Sequence, residues 1–240
     1  MVYDWKAGIA FFITLVALTV IGRRVVFLVP AFQRMRELNH EVDKVKLKRA
    51  RFKKAVKASS QIGLYTNLAF YLLVLPFAVN LEPRPLWRYP LDILAVLLFF
   101  DFFYYLVHRF LFHGKILRKV HSLHHQALKP TYMDALYVHP LETFIGLFLF
   151  LFSIPAVGIL MGGPLNAFSM AIATLIFTQL NTINHTFVNL PYGPYKVVDY
   201  ITSIHAAHHV DMNSGNYATL TMFYDWIFGT LEKPVGRPEA

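Results

Sequence analysis

Nine of the eleven histidines fall into four tight groups, and each group stands directly after a long apolar run. The groups are His108 and His113, then His121, His124 and His125, then His185, then His205, His208 and His209. Two of them share the spacing HxxHH, as HSLHH at 121–125 and HAAHH at 205–209. Apolar runs long enough to cross a bilayer leave few folds open, because backbone polar groups in hydrocarbon must be satisfied within the segment itself, as in a helix. A bundle of apolar helices that ends in clustered imidazoles is the architecture these residues imply.

Hydrophobic residues make up 56% of the 240, above the roughly 45–50% of soluble domains. Cysteine is absent, so disulfides and thiolate metal sites are excluded and any metal must be held by nitrogen or oxygen. Five apolar segments stand out, at about 3–22, 62–80, 91–107, 141–161 and 165–182. Gly162, Gly163 and Pro164 make a tight turn between the last two. Met35, Leu38, Val42, Val45, Phe52 and Val56 recur at helical spacing, which predicts an amphipathic helix on the protein or on the membrane. The expected units are residues 1–61 as an N-terminal span with a basic amphipathic segment, 62–232 as a membrane-embedded di-metal domain, and 233–240 as a tail.

The net charge of +9 is concentrated in Gln33–Ser59, which holds ten Lys/Arg against three Asp/Glu. Between two apolar runs this is a topology signal that also meets anionic lipid, and no nucleic-acid partner is expected. The histidines follow the third and fifth runs, and counting back places the basic stretch on the same side. The positive-inside rule then puts the histidine site of this multi-pass membrane protein on the cytoplasmic face. The expected fold is an all-α integral-membrane bundle of about four to five spans, with a cytoplasmic helical cap holding a histidine-rich di-metal site.

Positions i, i+3 and i+4 share a helix face, so each HxxHH offers three imidazoles together. His108 and His113, five apart, need a helix end or distortion to converge, and Gly114 stands where it could supply one. Nine imidazoles exceed the needs of one ion; two ions with four or five nitrogens each fit the count. Neutral imidazoles suit redox-capable iron, and affinity alone leaves zinc open. Asp101, deep in the third run and seven residues before His108, is costly there and is expected to orient a ligand imidazole through its second N–H. His139, at the start of the fourth run, is a ligand or an outer partner; His40 lies outside every motif.

These residues resemble the fatty acid hydroxylase/sterol desaturase superfamily of integral-membrane di-iron oxygenases. The shared pattern is HxxxxH (His108 to His113), HxxHH, an isolated His185 and a second HxxHH, in that order. Asp101-Phe-Phe-Tyr-Tyr, HPLE at 139–142, Asn216-Tyr217 and the stretch Tyr224–Thr230 look like the family too. The resemblance covers roughly residues 90–232. It implies two iron ions (zinc possible in purified protein), O2 as cosubstrate, and hydroxylation or desaturation of a membrane lipid: fatty acyl, sterol, carotenoid or another isoprenoid. It also implies a separate electron donor, a ferredoxin or a cytochrome b-type protein with its reductase, since no HPGG haem motif occurs. Where some members carry another histidine four residues after the isolated one, this chain has Asn189, implying a weaker or water-bridged ligand. The rival readings are a metal-transport or metal-storage membrane protein and a haem electron carrier. Histidines beyond the span ends on one side disfavour transport, and a haem pair would leave most of the nine unused. A lipid substrate is expected to slide in between the third and fifth runs, past Phe99, Phe100, Phe102, Phe103, Tyr104 and Tyr105.

Overall fold

A computed structural model describes residues 2–186 and 196–234. Asn189 lies outside the described residues. The chain is mostly helical, as expected: α1 (Trp5–Val26), α2 (Pro30–Lys46), α3 (Ala50–Leu73), α4 (Leu75–Ala78), α5 (Arg88–Val107), α6 (Arg118–His121), α7 (Pro140–Leu160), α8 (Ala167–Asn184), α9 (Lys196–Val210) and α10 (Phe223–Ile227). Two-residue strands β1 (Val79–Asn80) and β2 (Leu165–Asn166) pair in parallel, Val79 opposite Leu165.

Local chemistry sets the helix ends. Asp4 caps α1 by accepting from Ala7 N at 2.9 Å. Pro30 and Pro140 occupy first-turn positions, where the missing N–H costs nothing. α7 closes on Gly162 and Gly163, both at positive φ, and Gly163 N bonds back to Gly158 O at 2.8 Å.

Among the described residues, three helices are long and apolar enough to cross a membrane: α1, α5 with its extension to Phe112, and α7. They coincide with the first, third and fourth apolar runs. The second and fifth runs fall in α3 with α4 and in α8, which do not reach that standard. The first half of α3 carries Arg51, Lys53, Lys54 and Lys57, its helix breaks at Val74 ahead of Pro76, and α8 ends in Gln179, Asn181 and Asn184. α1 packs on α8, α3 on α7, and α5 on both α7 and α8. Their shared core holds Phe11, Phe100, Phe150, Ile154, Met170 and Phe177, with the Phe150 and Phe177 rings stacked at 3.9 Å.

The amphipathic stretch departs from its expected form. It is two helices broken at 47–49, and the buried face of α2 is Met35, Asn39 and Asp43, while Val42 and Val45 are exposed. The reason is polar: Asp43 accepts from Thr131 Oγ1 at 2.6 Å, and Lys46 pairs with Asp134 and donates to Lys129 O. These bonds turn the acidic side of α2 inward, onto the segment after the first HxxHH.

Candidate metal centre

The imidazoles gather into two adjacent sets of four. His108, His113, His121 and His208 form one; His124, His185, His205 and His209 form the other. Within each set, one ligand atom per residue lies within 4.8 Å of all the others. All eight are buried. His125 stands beside the first set, its Nε2 3.1 Å from His121 Nε2, with its ring 5.2 Å from that of His209.

The two HxxHH triads are therefore crossed, and do not each serve one site as equal helical faces would suggest. His121 and His125 turn to the first set and His124 to the second; His205 and His209 turn to the second set and His208 to the first. On a helix, i and i+4 stand about 40° apart on one side while i+3 lies about 60° to the other, so three such residues can straddle two sites. In the first triad the divergence is larger, because α6 ends at His121 and a 3-10 turn carries His124 and His125.

His108 and His113 converge through a distortion, as their spacing requires. α5 passes into a π-helical turn over His108–Phe112, where His113 N bonds to His108 O at 2.9 Å. The wider turn brings positions five apart onto one face, and such turns cluster at functional sites. Gly114 is needed beside it: a Cβ there would stand 1.9 Å from Phe110 O.

Each Nδ1 acceptor identifies which nitrogen is free. His108 Nδ1 donates to Tyr217 O at 2.7 Å, His113 to Met212 O at 2.7 Å, His208 to Gly215 O at 2.6 Å and His185 to Asn181 O at 2.7 Å. His121 Nδ1 donates to Glu142 Oε1 at 2.8 Å. In a neutral ring with Nδ1 protonated, Nε2 carries a lone pair. Yet His108 Nε2 and His121 Nε2 are 3.0 Å apart, and His185 Nε2 lies 3.1 Å from His124 Nε2 and 3.0 Å from His205 Nε2. His113 Nε2 and His208 Nε2 are buried without a hydrogen-bond partner among the described residues.

Facing lone pairs repel, and buried bare nitrogens are costly; a cation between them removes both penalties. Nitrogens about 2.0–2.1 Å from one ion stand roughly 3 Å apart when adjacent, so the spacing fits a metal in each set. Burial, reinforced by neighbouring imidazoles, holds His121, His124, His205, His208 and His209 well below the usual histidine pKa, and pushes His125 down to about 3. These rings are neutral, the form a metal needs.

Asp101 does not touch His108. Its Oδ1 accepts from Thr219 N (3.1 Å) and Leu220 N (3.0 Å), and its Oδ2 from Thr221 N (3.1 Å) and Thr221 Oγ1 (2.6 Å). It grips the loop that presents Tyr217 O to His108. Asp225, buried, accepts from Tyr217 N and Ala218 N at 2.8 Å and holds the same loop from the other side. The acid that does accept from an imidazole of the two sets is Glu142, to which sequence reasoning assigned no role. Its signal was an acid in the first turn of the most apolar helix, beside His139. His139 itself is exposed and caps α7, accepting from Leu141 N at 3.1 Å, and lies in neither set; His40 is exposed.

A cavity of about 480 Å³ between α3, α5, α7 and α8 reaches both sets, touching His108 of one, His124, His185 and His205 of the other, and Glu142. Apolar walls come from Leu64, Phe100, Tyr104, Leu136, Leu147 and Phe177. Between the third and fifth runs the Phe100 and Phe177 rings pack at 5.0 Å, and both line the cavity. The cavity also runs along α3 and α7, and Leu64 and Leu136 on its wall are exposed.

Fold and site together define a membrane protein with two preformed histidine sets fit for metal. Residues 93–230, more than half of the chain, match the model of the fatty acid hydroxylase family, and the chain belongs to that family. It is 34% identical over 173 residues to a putative methylsterol monooxygenase of Dictyostelium discoideum, covering 68% of this chain and 60% of that protein. It is 34% identical to methylsterol monooxygenase 1 of Gallus gallus, covering 54% of this chain and 42% of that one. It is 28% identical to a very-long-chain aldehyde decarbonylase of Arabidopsis thaliana, covering 71% and 28%. The chain thus spans 60% or less of the length of these relatives. No solved structure matches.

Proposed function

We propose that this chain is an O2-dependent di-iron hydroxylase of a membrane lipid. The observation that carries the reading is the pair of crossed histidine sets at the end of a largely apolar cavity, in the first of which the unprotonated Nε2 atoms of His108 and His121 face one another. His108, His113, His121, His208 and the adjacent His125 would hold one iron, and His124, His185, His205 and His209 the other; Asn189 remains a candidate for the open position of the second. Bound iron would supply the reduction of dioxygen and the oxidation of an unactivated C–H bond.

The chain's own residues hold, orient and exclude. Backbone carbonyls of Tyr217, Met212, Gly215 and Asn181 fix the ring tautomers, and Glu142 fixes His121 and raises its basicity. Asp101 and Asp225 position the 217–221 loop that carries the first of those carbonyls. The walls around Phe100, Leu147 and Phe177 keep water from the reacting carbon and seat a lipid chain or ring. Access is from the bilayer, at the exposed edge marked by Leu64 and Leu136. Reducing dioxygen while hydroxylating carbon requires electrons from outside, for which a separate ferredoxin or cytochrome b-type donor is the partner.

The basic α2 lies against the segment that follows the first histidine triad, through Lys46 and Asp43. This contact supports the topology in which basic stretch and site share the cytoplasmic face. Lipid desaturation at the same site is the second reading, since it differs only in removal of a second hydrogen in place of oxygen transfer. The test is turnover in bilayers of iron-loaded protein with a reducing donor under ¹⁸O2, using methylsterol and fatty acyl lipids. A lipid product carrying ¹⁸O supports hydroxylation; an alkene product without it supports desaturation; no lipid oxidation defeats both.

A further inference from the structure

After α9 the chain passes through a polar stretch, Asp211–Asn216, and then turns apolar again at Met222–Leu231. We infer that residues 222–231 return to the bilayer surface and that α10 lies in the lipid interface, with Phe223, Trp226 and Ile227 facing lipid. Three observations carry this. First, α10 is inside-out for a helix on a water-facing surface. Its outward face is Phe223, Trp226 and Ile227, 45%, 69% and 48% exposed, and Phe228 follows at 44%. Its inward face carries Asp225, wholly buried. A helix that buries its acid and exposes its rings has an apolar neighbour outside.

Second, its level is set by α5. The Tyr224 hydroxyl donates to Leu98 O at 3.0 Å, ten residues (roughly 15 Å) along α5 from Arg88. The Phe102 ring packs on Tyr224 at 5.3 Å, and Phe228 stacks on Tyr105 at 5.2 Å. α10 therefore lies beside the second half of a helix whose 20 residues match the roughly 30 Å hydrocarbon thickness, its contacts running from Leu98, roughly 14 Å short of the helix end, to Tyr105, roughly 3 Å short of it. That is the depth of an interfacial helix, some 5–10 Å below the headgroups. Third, the side of α5 on which α10 lies stays apolar and exposed further along, at Leu91 and Leu94, which share a helix face with Leu98, Phe102 and Tyr105. From Thr219 to Leu231 the only charged residue is the buried Asp225. Tryptophan marks such boundaries, and the other two tryptophans, Trp5 and Trp87, stand at the opposite ends of α1 and α5.

The consequence reaches the site. Asp225, on the inner face of α10, holds Tyr217 N and Ala218 N, and Tyr217 O orients His108. The lipid interface thus helps to fix a ligand imidazole.

Two measurements test this, neither needing metal or turnover. With Trp5→Phe and Trp87→Phe, Trp226 is the sole tryptophan fluorophore. In vesicles of phosphatidylcholine brominated near the headgroup end of its chains, its emission should fall by roughly half, and aqueous acrylamide should quench it weakly. The chain lacks cysteine, so Trp226→Cys gives a background-free second probe. It should react at least about tenfold more slowly with a water-soluble maleimide than Lys119→Cys, which stands on an exposed side chain. Strong acrylamide quenching with fast labelling would overturn the inference. So would protection from both acrylamide and brominated lipid, together with disulfide crosslinking between two Trp226→Cys chains, which would place a second copy on the face.

Discussion

His108 and His121 meet through their Nε2 atoms at 3.0 Å although each gives its Nδ1 proton elsewhere, His108 to Tyr217 O and His121 to Glu142. Two lone pairs at that distance make the site one that is completed by a cation.

If Glu142 sets the tautomer of His121, Glu142→Gln should weaken metal binding at the first set. A neutral amide accepts less strongly from an imidazole N–H, and such outer partners are worth about 10–100-fold in affinity or activity. Metal titration should show one weakened site and one unchanged; two unchanged sites would remove the role from Glu142.

Asp101→Asn acts at a distance. One carboxylate oxygen becomes an NH2 that cannot accept from Thr219 and Leu220, or from Thr221, depending on its orientation. A loss of about 2–3 kcal/mol is expected from unpaired N–H groups around a former carboxylate. Lowered thermal stability with a loosened first metal site is the expected result. Unchanged stability and metal content would demote the loop grip to packing.

The helical content and the histidine groups were legible from apolar runs and spacing; of the five apolar runs, three are helices of membrane length among the described residues, because the second carries charge in its helix and the fifth ends in polar residues. The crossing of the triads was not, because spacing gives a face but not where α6 ends, and α6 ends at His121. The π turn was legible as a need, since His108 and His113 could not share a face otherwise. Asp101 was legible as a buried acid that needs a partner, but the partner was misread, because spacing along α5 says nothing of a loop more than a hundred residues away. Glu142 was passed over because an acid in a first helical turn is ordinarily explained by the helix dipole. The polar inner face of α2 defeated the apolar pattern, since Asp43 and Lys46 found partners in the 129–134 segment.

Acidity should unfold the metal-free protein. Burial lowers the pKa of His121, His124, His125, His205, His208 and His209 on folding, so below about 6.5 the unfolded chain binds more protons and stability falls with pH. For His125 the loss continues down to about 3, where the folded ring also protonates. Each such ring contributes up to about 1.4 kcal/mol per pH unit in that window. Denaturant midpoints of metal-free protein should drop steadily from pH 7 to pH 4; a flat profile would mean the rings are not buried neutral.

His124→Ala and His208→Ala should each abolish turnover, and His40→Ala should not, since of these three only His40 lies outside both sets. Because the triads are crossed, the lost metal should differ: His208→Ala empties the set with His108, and His124→Ala the set with His185. Near-normal activity in either variant would contradict the assignment.

The most direct measurement is iron per chain in protein loaded anaerobically, beside the same measurement on His208→Ala and His205→Ala. Two irons in the unaltered chain, and about one in each variant, are expected from two separate sets of four. One iron or none in the unaltered chain, or loss of both from a single substitution, would contradict two independent metal sites.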